Sequence, residues 1–161
     1  MTIPATSVSA AVAFLFAGLT STITAETGHD LWIEYGEPLA DNEGEPVEVE
    51  PDDQIFLVEV SNRPAPFALV GSLGAGAMQE TFGIKLMVRC QREDADATAA
   101  FDRCVALVNA IASVARTDPT LGGAVLTARP DAVIYPSPAS ANNGTRRICQ
   151  TDVTINCFAV N

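Results

Sequence analysis

The chain is poor in the residues that most chemistry requires. It has a single histidine, His29, in 161 residues, so no two histidines can share a zinc ion. That histidine sits in a polar turn, Gly28-His29-Asp30, and reads as a solvated loop residue rather than a catalytic one. Positive charge is scarce: 9 Lys and Arg face 20 Asp and Glu, for a net charge of −11. No basic residue precedes Arg63, whereas acids run from Glu26 to Glu59. A chain without clustered Lys and Arg is not built to grip nucleic acid by neutralising phosphates. No glycine-rich phosphate loop ends in Lys-Ser or Lys-Thr, and Gly71–Gly76 (GSLGAG) lacks the strand–turn–helix setting such a loop needs. Neither a catalytic residue, a metal site nor a cofactor is expected from this inventory.

Cysteine is sparse and confined to the second half: Cys90, Cys104, Cys149 and Cys157. Cys149 and Cys157 fall on one face of one strand, about 26 Å apart, too far to bridge. Buried thiols acting as small hydrophobic side chains are the expected state. A contact between Cys90 and Cys104 stays open, because a strand end can meet the helix that follows it.

What is present suffices for one domain spanning residues 1–161, with 48% hydrophobic and 18% charged residues. Ala10–Leu19 is an apolar run that could pass for the core of a secretory signal. It is too short to span a bilayer, and Met1–Ser9 lacks the cationic start of a signal. Val8, Val12, Leu15, Leu19 and Ile23 share one helical face, so the spacing predicts an N-terminal helix within residues 1–25, with Pro4 in its first turn and a stop at Gly28.

Strands are expected at Asp30–Tyr35 and Gln54–Ser61, and in the alternating run Phe82–Cys90. Asp94 is expected to cap a helix running to about Arg116, with two adjoining apolar stripes: Phe101, Val105, Val108, Ala112, Ala115 and Cys104, Leu107, Ile111, Val114. The stretch from Thr117 to Gly123 is a turn. A strand over Val125–Ile134 is restricted to an edge by Pro130. Tyr135–Thr145 is a loop, and Arg147–Val160 is a closing strand with Cys149, Thr151, Val153, Ile155 and Cys157 on one face. The class is α+β: a mostly antiparallel sheet with one long helix packed on a face, plus the N-terminal helix.

Two segments stand out as candidate surfaces. Residues 37–53 form an acidic loop with Glu37, Asp41, Glu43, Glu45, Glu48, Glu50, Asp52 and Asp53. Its alternate acids lack the glycine and distant glutamate of a calcium loop. Residues 62–79 form a Pro- and Gly-rich flexible loop that nonetheless carries Phe67, Leu69, Val70, Leu73 and Met78. Apolar side chains on such a loop are expected to order against a partner.

The order of these segments resembles the tail terminator proteins of long, non-contractile-tailed bacteriophages, above all those of actinobacteria. The residues that carry the likeness are Tyr35-Gly36-Glu37-Pro38 after the first strand, the strand Gln54–Ser61, and Glu80-Thr81-Phe82-Gly83-Ile84 entering a strand that ends at Arg92. The helix 95–116 flowing into Asp118-Pro119-Thr120-Leu121-Gly122-Gly123 completes it. This covers most of the chain, and the last turn is its most distinctive piece.

The resemblance implies a non-enzymatic virion protein, assembled in the host cytoplasm, that forms a six-fold ring. Such a ring caps the finished tail tube, ends its polymerisation and joins it to the head-side connector. DNA passes through the centre without specific binding. An acidic lumen would repel phosphates and let DNA slide, which is the role expected for part of the 37–53 loop. The apolar 62–79 loop would then meet the tail tube or a neighbouring subunit. Alternatives are another virion ring protein, either a neck protein or a tail tube subunit, and a secreted acidic binding domain.

Overall fold

A computed structural model of the protein describes residues 7–36, 51–64, 79–93, 96–141 and 144–160. The elements are α1 (Val8–Thr22), β1 (Leu31–Glu34), β2 (Asp53–Pro64), β3 (Gln79–Glu93), α2 (Ala97–Thr117), β4 (Thr127–Pro130), β5 (Ala139–Ala141) and β6 (Arg146–Val160). Six strands make one sheet in the order β1-β2-β3-β6-β4, with β5 also pairing β6. Every pairing is antiparallel except β1 with β2. The fold is α+β, with a mostly antiparallel sheet, the long helix α2 and the N-terminal helix α1.

The centre of the sheet is the β3–β6 ladder, which pairs without interruption from Gln79↔Val160 to Glu93↔Arg146. Alternation decides its two faces. Phe82, Ile84, Leu86, Val88 and Cys90 point into the core with Cys149, Val153, Ile155 and Cys157. Lys85, Met87 and Arg89 point the other way and are half-buried, while Gln150, Asp152 and Asn156 there are exposed. On β2 a bulge between Leu57 and Glu59 shifts the register. It returns Val60 to the core face opposite Ile84.

Both helices lie on the core face. Asp96 caps α2 by accepting from Ala99 N–H at 2.9 Å, and the buried stripe Ala100, Cys104, Leu107, Val108, Ile111, Val114, Ala115 follows. The helix thus begins two residues later than expected. α2 is long and apolar enough to cross a membrane, but its apolar stripe is part of the core around β3 and β6.

α1 buries Ala11, Val12, Leu15, Phe16 and Leu19 and is shorter than the expected span. It packs closely on α2: a Cβ on Gly18 would lie 2.6 Å from Val114 Cγ1. The Ser7 side chain makes no cap bond. Instead Ser7 N–H donates to Glu80 Oε2 at 3.0 Å. Glu80 is 2% exposed, and its other oxygen accepts from Asn62 Nδ2 at 2.8 Å. A carboxylate from the sheet therefore meets the positive end of the α1 dipole. Ile23 then leaves the helix in extended conformation, five residues before Gly28.

The far edge is broken. Pro130 ends β4, as its missing N–H requires. The chain still follows β6, with Asp131 N–H donating to Thr154 O at 2.8 Å and Thr151 Oγ1 donating to Ile134 O at 2.6 Å. β5 follows, inside the stretch expected to be loop.

Candidate functional site

Of the eight acidic positions singled out in the sequence, Glu37, Asp41, Glu43, Glu45, Glu48 and Glu50 lie outside the described residues. The other two correct the expectation of a solvated acidic loop. Asp53 is not loop but the first residue of β2, fully buried on the core face opposite Cys90. Its Oδ1 accepts from Arg92 Nη1 at 2.8 Å and its Oδ2 from Arg103 Nε at 2.7 Å. Asp52, half-buried, holds His29 Nδ1 at 2.8 Å through its Oδ2.

Glu26, in the α1–β1 connection, completes the cluster. It accepts from Arg92 Nη2 at 2.7 Å. Arg103 Nη2 donates to Thr24 O at 2.9 Å. Three carboxylates, two guanidiniums and one imidazole thus tie the α1–β1 connection, the start of β2, the end of β3 and the first turns of α2 together. Burial opposes the charge on Arg92, but Asp53 and then Glu26 more than offset it, and its pKa is raised.

Beside this cluster lies an open groove of about 610 Å³, lined among others by His29, Asp30, Asp52, Arg92, Glu93 and Arg146. Arg146 donates to Glu93 across its rim at 3.0 Å. Among the described residues, no three His, Cys, Asp or Glu side chains are arranged to hold a metal ion. His29 has a carboxylate partner, and among the described residues lining the groove there is no Ser, Thr, Cys or Lys.

Reading the sequence overlooked Arg92 and Arg103. A signal was present for Arg92: it has the same parity as Phe82 through Cys90, so strict alternation puts it on the core face. A buried cation there needs a buried anion, and Asp53 is that anion.

Cys90 and Cys149 are direct partners across the β3–β6 ladder, and Cys104 on α2 is close enough to both thiols to couple with them electrostatically. All four cysteines are free and buried. Cys149 and Cys157 stand apart on β6, as expected. Burial, reinforced by Cys104, pushes the Cys149 thiol up to about 12. Burial alone pushes Cys157 up to about 12.

The apolar positions Phe67, Leu69, Val70, Leu73 and Met78 lie outside the described residues. Residues 62–64, expected within the same loop, belong to β2. The connection 65–78 leaves and rejoins the sheet at one point, since Pro64 pairs with Glu80.

The turn that carries the resemblance is fully described. The Asp118 carboxylate accepts from Thr120 N–H, Thr120 Oγ1 and Gly122 N–H at 2.9, 2.6 and 2.9 Å. Those bonds, Thr120 first, lower its pKa. Leu121, Gly122 and Gly123 all take positive φ. Leu121 is 1% exposed, so burial worth roughly 1.5–3 kcal/mol offsets about 1–2 kcal/mol of left-handed strain.

No protein-family model matches the chain, and no curated protein matches it.

Proposed function

We propose that the chain is a structural virion protein of the tail terminator kind. Its copies form a ring that caps a phage tail tube, ends its growth and joins it to the head-side connector, with DNA passing through the centre. The observation that supports this reading best is the build of the Asp118–Gly123 turn. The most distinctive piece of the resemblance is not a loose loop but a hydrogen-bonded junction of α1, α2 and the approach to β4. A Cβ at Gly122 would lie 2.6 Å from Phe14 of α1, and Ala128 N–H donates to Pro119 O at 2.7 Å. The segments around it also run helix, short strand, two long strands, long helix, turn and closing strand, with β4 and β5 where the resemblance has an irregular loop. The reading assigns the chain no catalytic step.

Electron microscopy of the purified full-length chain, with its mass in solution measured alongside, tests the proposal. Closed single rings are expected. Long tubes would make the chain a tube subunit, and monomers at every concentration would overturn ring formation.

A further inference from the structure

Among the described residues the exposed large apolar side chains are Tyr35, Val58, Leu126, Ile134 and Val160. None belongs to α1, α2 or the central strand β3. Tyr35 and Val58 lie at the β1–β2 edge of the sheet. Leu126 and Ile134 lie at the opposite edge, before and after β4, and Val160 ends β6 close to Leu126, whose N–H bonds Phe158 O at 2.8 Å.

Charge is uneven along the same axis. The acid-only first part of the chain supplies β1 and most of β2, so the exposed charges flanking Tyr35 and Val58 are Glu34 and Glu59. The other edge comes from the part of the chain that holds the basic residues, and β4 presents exposed Arg129. Exposed Asp131, two residues on, accepts from Ala132 N–H through Oδ1, so Arg129 is the cation this edge offers.

We infer that the β1–β2 edge of one copy docks on the β4 edge of the next, with Val58 and Tyr35 against Leu126 and Ile134, and Glu59 and Glu34 facing Arg129. This rests on the proposed ring and names the surfaces that build it. The two edges are different patches, so the contact is head-to-tail, and each copy keeps a free edge of each kind until the ring closes. The join is made by side chains. β1 is only four residues long, and Pro130 has no N–H to offer a neighbouring strand.

The test uses full-length chains. Val58→Asp spoils the first edge, and Leu126→Asp with Ile134→Asp spoils the second. Arg129→Glu, at an exposed position, probes the second edge without touching an apolar contact. Each variant is expected to keep the wild-type circular dichroism spectrum while the concentration for half-assembly rises at least about tenfold. Mixed one to one, the Val58 and Leu126/Ile134 variants each retain one intact edge, so native mass spectrometry should find heterodimers and nothing larger. Wild-type rings alongside variants that close equally well would overturn the edge assignment and leave the ring standing. So would two assembly-defective variants that fail to pair when mixed. A wild-type chain that stays monomeric would overturn both.

Discussion

Gly122 lies directly against Phe14: a methyl group on its Cα would come within 2.6 Å of the ring carbon Cδ2. One residue in the turn after α2 therefore sets how closely α1 can seat.

Gly122→Ala should be costly on two counts, a φ of +70° and a collision with an aromatic ring held in place by the core. Gly123→Ala meets only the first, since its φ is +82° and nothing lies within 4 Å of the added carbon. Urea unfolding should show a loss of about 1–2 kcal/mol for Gly123→Ala and at least about 1 kcal/mol more for Gly122→Ala. Equal losses would mean that the Phe14 contact is of no consequence.

Asp53→Ala should be among the most damaging single changes. It removes the buried carboxylate shared by Arg92, 5% exposed, and Arg103, and leaves half-exposed Glu26 as the anion at hand. Breaking a buried pair on one side costs about 3–5 kcal/mol. Restoring neutrality with Arg103→Met in the same chain should recover part of that loss. A double variant no more stable than Asp53→Ala alone would count against the pairing.

Asp118 gives the fold an acid limit. Its pKa in the folded chain lies below the ordinary 3.8, owing to the bonds from Thr120 and Gly122. A depressed carboxylate stabilises fully above its unfolded pKa, and that contribution disappears as pH falls through the folded value. Melting temperatures of wild type and Asp118→Asn should therefore differ at pH 6 and converge as pH drops below about 4. A constant gap across that range would rule out the linkage.

The four thiols are all buried and should be shielded from reagent in the folded chain; only Cys104 has its pKa lowered, by Cys90 and then Cys149 beside it. With Cys149 and Cys157 pushed to about 12, their thiolate fraction at pH 8 falls on the order of 1000-fold below that of an ordinary cysteine. Thiol titration with an aromatic disulfide reagent should proceed slowly in native buffer and release four equivalents at once in urea. Rapid native release of even one equivalent would show that the core opens at the cysteines.

The central strands and α2 were legible because their patterns are long. Phe82 through Cys90 alternates cleanly, and α2 holds its stripe from Ala100 to Ala115, about four turns. The helix start was misplaced by two residues because Asp94-Ala95-Asp96 offers two equivalent caps. Asp96 is the one that caps, accepting from Ala99 N–H. β5 was invisible because Ala139-Ser140-Ala141 has no strand character of its own and is extended by pairing with β6. The Asp53 cluster joins residues up to 77 positions apart, Glu26 and Arg103, and no local pattern announces such a meeting. That β1 and β4 form opposite edges of one sheet is likewise a matter of topology and not of any local pattern.

The clasp between Glu80 and the start of α1 has a consequence for synthesis. α1 leaves the ribosome well before the groups that hold it: Glu80 at its N-terminus, Val114 against Gly18, Gly122 beneath Phe14. At ordinary translation rates the wait for about a hundred further residues lasts roughly 5–20 s. Throughout it an apolar helix with no acidic residue in its first turn and no basic residue in its last has nowhere to dock. To any factor that surveys nascent chains, it is an exposed apolar segment. How long it stays exposed depends on how fast α2 follows and covers it.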